Sequence, residues 1–300
     1  MSTHKAMISE LSRTGNGRTL TIDELVRLKK ILLECYLDVA MVCEKNNLRI
    51  MLGGGSCLGA IRHHGFIPWD DDFDINMPRK DFEELKTIFE KELGDKYILN
   101  APNFSSKPSN RFPKVLIKGT KLIELGTDDK DETGMIKIDI FTAENIPENK
   151  IVRKVKGIYC NLIMAIAGSV QFIEWYKRDK DNPVFQTKIM KKSNKIRKIM
   201  GLVFSIKPAV FWFNWVDKAC QYNKKSDLVG FPTGRNHYFG EIHNSSDIFP
   251  LAEAVFEGNK VYVPNNVKKY LTKLYGASYM EIPPIEKRES HLFLDIQFGN

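Results

Sequence analysis

The fold is decided by residues 51–79, whose sequence is MLGGGSCLGAIRHHGFIPWDDDFDINMPR. A glycine-rich turn at residues 54–56 is followed by Asp72 and Asp74, which are separated by one residue. On a β-strand this spacing places both carboxylates on the same face. Like charges that close repel each other, so a strand end holds them together when a cation compensates. The pair therefore predicts a site for Mg2+ or Mn2+, which prefer oxygen ligands and retain bonds to substrate phosphates.

The surroundings of the aspartate pair favour a site over a solvated acidic loop. Residues 49–52 predict a short strand that enters the glycines, and residues 57–64 have a helical composition. Backbone N–H groups in such a turn approach a phosphate closely where a helix begins. Apolar residues at 73, 75 and 77 alternate with Asp72, Asp74 and Asn76, which predicts a half-buried strand. An acidic loop does not predict that alternation.

A third aspartate, Asp139, lies in an apolar stretch at residues 135–141 that predicts another strand. Lys137 and Asp139 share one face of this strand, and isoleucines occupy the other. A carboxylate in so apolar a run needs a partner or a metal, although it could also cap a turn at the strand end. Beside Asp72 and Asp74, it becomes a candidate third carboxylate of the same site.

The composition is that of an ordinary globular protein, with 43% hydrophobic and 27% charged residues among 300. Five scattered cysteines without a CxxC pair argue against a disulfide framework and a structural zinc site. The first residues lack the apolar segment of a signal peptide. We therefore expect a cytoplasmic protein.

Positive charge is concentrated in residues 151–200, where twelve Lys or Arg face three acids, a balance of +9. Such a block suits nucleic acid, anionic lipid or a phosphorylated polymer, and a solvated helical face explains it equally well. No nucleic-acid reading motif accompanies it, so no nucleic-acid partner is expected. Residues 157–173 are uncharged but short for a bilayer span. Buried helices are the default interpretation, and the flanking basic residues with nearby tryptophans keep peripheral contact with the inner face of the membrane as the alternative.

Local patterns predict most of the remaining elements. Thr21 and Glu24 form a capping-box pattern that starts a helix running to about Asn46. Further elements are expected as follows: a helix at 80–93 ended by Gly94, strands at 97–100, 114–117 and 121–125, a hairpin at 256–264, and a helix at 267–275 closed by Gly276. The tail towards His291 is expected to be irregular.

Residues 52–85, LGGGSCLGAIRHHGFIPWDDDFDINMPRKDFEEL, closely resemble the signature of the LicD family of bacterial phosphocholine transferases, which is related to fukutin-type transferases. The likeness continues at KIDIF around Asp139, at FEG (256–258), at YG (275–276) and in IPPIEKRESH. The resemblance implies an α/β (α+β) fold, with a nucleotidyltransferase-like mixed sheet, flanking helices and a helical insertion. We expect a catalytic core at 1–145, a basic helical insertion at 146–235 and a C-terminal segment at 236–300 that packs back on the core.

The resemblance also implies roles for residues at matching positions. Asp72, Asp74 and Asp139 would be the catalytic and metal-binding set for Mg2+ or Mn2+. Substrate-binding residues would be Gly54, Gly55, Ser56, Arg62, His63 and Lys114. The implied reaction moves phosphocholine from CDP-choline to a hydroxyl of a glycan or lipid-linked glycan precursor of lipopolysaccharide, teichoic acid or capsule, and releases CMP.

Three alternatives stay open at this point. An enzyme of the same fold could transfer another phospho-substituent or a nucleotide. A DxD glycosyltransferase generally places a nucleotide-binding half before its DxD, and here only about seventy residues precede Asp72. A non-catalytic membrane-peripheral protein of glycan assembly is disfavoured because all three aspartates are present. Phe66 and Trp69 could cage a quaternary ammonium, or they could belong to the core.

Overall fold

The structure is a computed structural model that describes residues 17–125, 134–182, 185, 188–288 and 291–299, with the backbone alone at 188–194. The helices are α1 (Ile22–Lys45), α2 (Gly54–His63), α3 (Arg79–Leu93), α4 (Lys150–Arg178), α5 (Lys188–Phe204), α6 (Ala209–Cys220), α7 (His237–Gly240), α8 (Ser245–Ile248) and α9 (Val267–Tyr275). The strands are β1 (Met51–Leu52), β2 (Asp74–Pro78), β3 (Tyr97–Asn100), β4 (Lys114–Ile117), β5 (Lys121–Glu124), β6 (Lys137–Asn145), β7 (Leu228–Gly230), β8 (Ile242–Asn244), β9 (Ala252–Phe256), β10 (Asn259–Val263) and β11 (Phe293–Gln297).

The main sheet has the strand order β1-β2-β6-β4-β3, and β7 and β8 extend it from the far end of β6. The strands β2 and β6 run parallel, whereas β1 with β2, β4 with β6 and β3 with β4 are antiparallel. This mixed sheet with flanking helices confirms the expected α/β class. It also makes β6 central, with β2 on one side and β4 on the other.

Helix α1 covers the sheet because its apolar residues recur on one face. Thr21 and Glu24 form the predicted capping box, in which each side chain accepts a hydrogen bond from the other residue's backbone N–H. The buried face includes Leu28, Leu32 and Val39, which join the core formed by the sheet and helices α2 and α3. The core therefore sits directly behind the strands that carry the aspartates.

The helices α4, α5 and α6 lie between β6 and β7, where the sequence predicts the helical insertion. They enclose a separate apolar cluster that includes Met164, Val170 and Val216. The sequence Lys207-Pro208 separates α5 from α6, because Pro208 is the N-cap of α6. The insertion is thus a helical unit with its own small core.

A buried ion network joins the insertion to the sheet. The Arg79 guanidinium pairs with Glu144 of β6, with Asp217 of α6 at 2.8 Å and with Glu83 at 3.0 Å. The Asn103 Nδ2 atom also donates to the Asp217 Oδ2 atom at 2.8 Å. Because Arg79 begins α3 immediately after β2, this network anchors α6 close to the aspartate-bearing strands.

Several boundaries differ from the prediction. Strand β2 begins at Asp74, so Asp72 lies in the loop before it. Strand β6 covers 137–145 and not 135–141, and the hairpin covers 252–263 and not 256–264.

Helix α2 begins at Gly54, three residues before the predicted helical segment, so the glycines belong to its first turn. The C-terminal tail is more ordered than expected, because β11 pairs antiparallel with β5 and a 3-10 turn forms at Ile285–Lys287. Pairing along the edge of a distant strand leaves no local pattern for a sequence analysis to detect.

Candidate active site

The glycine turn lies directly against two carboxylates, between the end of β1 and the first turn of α2. A Cβ atom at Gly54 would stand 2.4 Å from the Asp74 Oδ2 atom, and one at Gly55 would stand 2.8 Å from the Asp70 Oδ2 atom. Gly54 also has φ +42°, in the left-handed region that favours glycine. The Gly55 N–H donates to the Asp74 carboxylate. Only glycine at these positions allows the carboxylates to approach the backbone.

Ser56 and Tyr270 hold the turn against the start of β2. The Asp74 N–H donates to the buried Ser56 Oγ atom at 2.9 Å, so this hydroxyl positions the aspartate. The Tyr270 hydroxyl oxygen accepts from the Gly54 N–H at 3.1 Å and from the Asn76 Nδ2 atom at 3.0 Å. Contact of Ser56 with a phosphate stays a prediction, whereas its role in fixing Asp74 is visible.

Asp74 and Asp139 are exact neighbours across the parallel strand pair. They are register partners in the β2–β6 ladder, and the Asp139 N–H donates to the Phe73 carbonyl oxygen at 2.9 Å. On the other side of β6, Lys114 is the register partner of Asp139, and its Nζ atom lies 3.0 Å from the Asp139 Oδ1 atom. The sheet thus places Asp74, Asp139 and Lys114 in one row across three strands.

The carboxylates of this region are held at an electrostatic cost. Burial, followed by the charges of Asp72 and Asp139, raises the pKa of Asp74 well above its usual range. Burial also raises the pKa of Asp72 to about 7, although His291 opposes this rise. Asp70 is raised in the same way by burial and by its acidic neighbours. The protein therefore concentrates more negative charge here than its own cations neutralise.

This donor set fits a hard divalent cation. Carboxylate oxygens are the ligands that Mg2+ and Mn2+ prefer, and a bound cation would remove the repulsion that raises these pKa values. The charges of Asp72 and Asp139 act on Asp74, but in the described part of the chain Asp72, Asp74 and Asp139 do not form a group whose ligand atoms all lie within 4.8 Å of one another. Their assignment as joint ligands stays a prediction.

The structure adds Asp71 and His291, which the sequence analysis did not assign to the site. The His291 Nδ1 atom lies 2.6 Å from the Asp71 Oδ1 atom, and the His291 N–H donates to the Asp71 Oδ2 atom at 3.0 Å. Burial lowers the pKa of His291, but the hydrogen bond and charge of Asp71 outweigh it and raise that pKa to about 10. Ligand atoms of Asp71, Asp72 and His291 lie within 4.8 Å of one another. The C-terminal tail therefore fixes residues 70–73, the acidic loop before β2, through the contact of His291 with Asp71.

A small cavity of about 120 Å³ opens beside the acidic loop. Its polar lining includes Asp72, Asp139 and Lys114 from the sheet region. Asn110 from the β3–β4 loop and Gln171 from α4 line the opposite side. The helical insertion thus contributes Gln171 to the cavity, whereas Asp72, Lys114 and Asp139 come from the sheet and the loop before β2.

The sequence of this chain is similar to those of known transferases. The sequence model described as "LicD/FKTN/FKRP, nucleotidyltransferase domain" matches residues 47–157, which contain the glycine turn and all three aspartates. The chain is also 28% identical over 254 residues to the lipopolysaccharide cholinephosphotransferase LicD of Haemophilus influenzae, covering 83% of this chain and 89% of that protein. The chain is thus similar to the LicD family over residues 47–157 and to this LicD protein over most of its length. This confirms the resemblance seen in the sequence, and with it the expectation of a transferase.

Shorter similarities reach two uncharacterized rickettsial proteins. The chain is 40% identical over 60 residues to RT0683 of Rickettsia typhi and 41% identical over 51 residues to RP689 of Rickettsia prowazekii. Each match covers 19% of the rickettsial protein. These two proteins share a short segment with this chain, and their names state no activity.

Of the six predicted substrate residues, Lys114 lines the cavity, whereas Gly54, Gly55, Ser56, Arg62 and His63 lie outside its lining, as does Asp74. The Arg62 Nη1 atom donates to the carbonyl oxygens of Tyr279 at 2.8 Å and Glu281 at 3.1 Å. The Arg62 Nε atom donates to the His63 Nε2 atom at 3.0 Å. In this arrangement Arg62 binds the C-terminal segment to α2, and a contact of Arg62 or His63 with substrate stays a prediction.

The aromatic residues near the turn already have partners. The Phe66 ring packs on Phe73 and Phe256, with centroid distances of 5.6 Å and 4.8 Å. The Trp69 ring lies 4.1 Å from the Arg288 Cζ atom, so its face already meets a cation of the chain. These contacts favour a packing role over a cage for a quaternary ammonium.

Among the described residues, α4 is long and apolar enough to cross a bilayer, with 56% of its apolar window buried in the protein. Residues 195–204 and α6 meet the same criterion only as a pair bent by 95°. A buried core helix has the same composition, so this finding is weak evidence for a span.

Proposed function

We propose that this protein transfers phosphocholine from CDP-choline to a hydroxyl of a glycan or lipid-linked glycan precursor and releases CMP. The Haemophilus influenzae relative, a lipopolysaccharide cholinephosphotransferase, supports a lipopolysaccharide precursor as the acceptor. Teichoic acid and capsule precursors are the other acceptors that the family resemblance suggests. Transfer of a different phospho-substituent on the same fold is the competing proposal.

The observation that carries the proposal is the row of Asp74, Asp139 and Lys114 beside the glycine turn. The parallel register brings two carboxylates side by side, and the first turn of α2 directs backbone N–H groups towards the same place. A phosphate bound at such a helix start contacts the carboxylates only when a cation compensates the charges. The geometry thus suits metal-dependent chemistry at a phosphate.

In this proposal Asp72, Asp74 and Asp139 hold the Mg2+ or Mn2+ ion. When bound, such an ion neutralises the charge of the diphosphate and favours departure of the nucleoside monophosphate. The chain orients Asp74 through the Ser56 hydroxyl and the Gly55 N–H, and it orients Asp139 through Lys114. The Asp71–His291 contact keeps the loop that carries Asp72 in place.

The acceptor hydroxyl must lose a proton during transfer. Asp139 is a candidate to accept it, because this carboxylate lines the cavity and is half-buried. Its Oδ1 atom is engaged by Lys114, which leaves the second oxygen for a hydroxyl or for metal. Lys114 would then steady the negative charge of Asp139 between turnovers.

A donor screen tests the proposal. The full chain is incubated with CDP-choline, other CDP-alcohols or nucleoside triphosphates, with Mg2+ or Mn2+, and the released nucleotide is identified by mass spectrometry. We expect CMP from CDP-choline, no release in EDTA, and a gain of one phosphocholine mass on lipopolysaccharide precursors. Pyrophosphate release from a triphosphate, with CDP-choline unused, would replace the proposal with nucleotide transfer.

We also propose that the insertion binds the anionic membrane surface on which a lipid-linked acceptor is presented. Apolar side chains are exposed along one face of α4, including Val155 at 63% and Leu162 at 52%, and along α5, including Ile199 at 63%. Residues 151–200 also carry the +9 charge balance. Exposed apolar stripes with flanking lysines are typical of helices that lie on anionic membranes.

Vesicle sedimentation tests this surface. We expect the full chain to bind vesicles that contain phosphatidylglycerol more strongly than vesicles of phosphatidylcholine alone. Val155→Glu with Leu162→Glu should weaken that binding about tenfold, because two apolar contacts are lost. The matched control is Val26→Glu on α1, which is equally exposed at 63% but lies on the core. Equal binding by both variants would contradict the proposed surface.

A further inference from the structure

Arg111, in the loop before β4, is a buried cation without a counter-charge. Its Nε atom is buried and has no hydrogen-bond partner. Burial lowers the pKa of its guanidinium, and in the described part of the chain this group forms no ion pair. The Arg111 Cζ atom lies 5.9 Å from the centre of the Phe112 ring, a weak cation–π contact that does not replace the hydration lost by a buried guanidinium. Such a group is therefore expected to have a ligand.

Two further side chains, Arg197 and His237, lie close enough to Arg111 for its charge to act on them. Burial, followed by the charge of Arg111, lowers the pKa of Arg197 on α5 and of His237 on α7. The Arg197 Nη2 atom donates to the Gly168 carbonyl oxygen at 3.0 Å, so α4 also borders this region. Both Arg197 and His237 are exposed, whereas Arg111 is half-buried. We call the region around these three side chains, with Arg111 as its buried member, the cationic cleft.

The cationic cleft adjoins the candidate active site. Ser109 and Asn110, the two residues before Arg111, line the acidic cavity together with Asp139. The Gln171 Nε2 atom of α4 donates to the Ser109 carbonyl oxygen at 3.3 Å and fixes this loop against the insertion. The loop therefore has one end in each site.

We call the carboxylates Asp72, Asp74 and Asp139 the acidic row. The strand order decides on which side of this row the cationic cleft lies. Strand β6, which carries Asp139, has β2 and the glycine turn on one side and β4 on the other. Arg111 comes just before β4, so it lies across Asp139 from the glycine turn. A donor phosphate at the turn and a second anion at Arg111 would face each other over the carboxylates.

We propose that the cationic cleft, formed by Arg111, Arg197 and His237, binds a phosphate group carried by the acceptor substrate. This inference rests on the proposed function, because it takes the glycine turn as the donor side. The planar guanidinium of arginine matches phosphate oxygens with paired N–H donors, which makes phosphate the fitting class of anion. The phosphate is either a monoester on the glycan or the diphosphate link of a lipid carrier, and both present the same oxygens.

Direct binding tests the site without turnover. The full chain is titrated calorimetrically with orthophosphate and with pyrophosphate in EDTA, so that the acidic centre holds no metal. We expect Arg111→Gln to weaken binding about tenfold or more, because a charged hydrogen bond is lost. Arg197→Gln should weaken it about two- to fivefold, since this side chain is exposed. Preference for pyrophosphate assigns the lipid-linked diphosphate, and preference for orthophosphate assigns the monoester.

Lys198→Gln is the matched control, because Lys198 neighbours Arg197 and its Nζ atom faces the Tyr176 ring at 4.8 Å. We expect this variant to bind phosphate as the unaltered chain does. Phosphate should also raise the melting temperature of the unaltered chain and of Lys198→Gln, but not that of Arg111→Gln. Should Arg111→Gln fail to fold, Arg111→Lys keeps the charge without the paired donors and should still bind less tightly.

The result that overturns the inference is equal phosphate binding by the unaltered chain and by the Arg111 and Arg197 variants, or no binding by the unaltered chain. This outcome is distinct from failure of the proposed function. An unaltered chain that binds phosphate in EDTA but releases no CMP from CDP-choline would contradict the donor assignment and leave the cationic cleft established as a phosphate site.

Discussion

The acidic row and the cationic cleft differ in the sign of the charges that each brings together. In the acidic row, burial and mutual repulsion raise the pKa of Asp74 well above its usual range and that of Asp72 to about 7. In the cationic cleft, burial lowers the pKa of Arg111, yet an arginine side chain stays charged at any physiological pH. A buried carboxylate can be neutralised by a proton when no metal is bound, whereas the charge of Arg111 can be compensated only by an anion.

This difference teaches how one fold can prepare two kinds of site. The acidic row depends on pH because its charge is adjustable. The charge of Arg111 and Arg197 does not change with pH, so its compensation depends on a bound ligand. The contrast also separates Arg111 from Arg79, which is equally cationic but is surrounded by Glu83, Glu144 and Asp217. One arginine joins the core to the insertion, and the other lies unpaired between them.

The largest expected effect comes from the acidic row. Asp74→Asn keeps the side-chain shape and removes one charge, so we expect CMP release to fall about 10³-fold or more while circular dichroism is unchanged. Without metal the variant should be at least as stable as the unaltered chain, because a repelling charge is gone. Asp95→Asn, at an exposed position on the same core, is the control and should keep full activity. Near-normal turnover in Asp74→Asn would contradict the assignment.

Arg79 provides the next largest effect and sharpens the contrast between the two arginines. Arg79→Met leaves Glu144 and Asp217 buried without their cation, which we expect to cost about 3 to 5 kcal/mol in the free energy of unfolding. Chemical denaturation measures this loss. Arg111→Gln removes an unpaired charge, so its stability in phosphate-free buffer should be unchanged or higher. Equal destabilisation by both changes would show that Arg111 has a structural partner.

Removal of metal should expose the pH dependence of the acidic row. The pKa of Asp72 is about 7 in the folded chain, above its unfolded value of 3.8, so the folded state binds the proton more tightly. In EDTA the free energy of unfolding should therefore fall as pH rises from about 4 to about 7, by about 3 kcal/mol from this group. Thermal unfolding at about pH 5 and about pH 8, with and without Mg2+, checks this.

In the same experiment, Mg2+ should restore most stability at the higher pH, where the carboxylates are ionised. Arg111 and Arg197 of the cationic cleft should add no pH dependence in this range, because arginines do not titrate there. A metal-induced stabilisation as large at the lower pH as at the higher one would argue against carboxylate ligands.

The smallest effect is expected at Glu241, a buried acid outside both sites. Burial raises the pKa of Glu241 to about 7, and its Oε1 atom accepts from the Asn236 N–H at 2.9 Å. Its folded pKa exceeds its unfolded value, so ionisation destabilises the fold as pH rises towards about 7. Glu241→Gln should thus raise the free energy of unfolding by about 1 to 2 kcal/mol at about pH 8 and change little at about pH 4.5. A pH-independent effect would mean that packing, not charge, decides.

Elements with a strong local pattern were predictable from the sequence. The capping box at Thr21, the strand at Tyr97–Asn100 and the helix Val267–Tyr275 with its Gly276 cap occur as predicted. Each depends on side chains that lie within a few residues of one another. The candidate aspartates were found for a similar reason, because the alternation around Asp72 and the polar residue in an apolar run at Asp139 are both visible along the chain.

By itself, the sequence indicated the resemblance to the LicD family, the mixed α/β class and the candidate acidic residues. Only the tertiary structure decided that Asp74 and Asp139 are register partners, that His291 reaches back to Asp71, and that Arg111 is buried without a counter-charge. The physical reason is range. Capping and alternation act over a few residues and are written in order along the chain, whereas strand register and charge pairing are settled by packing between segments that are far apart in sequence.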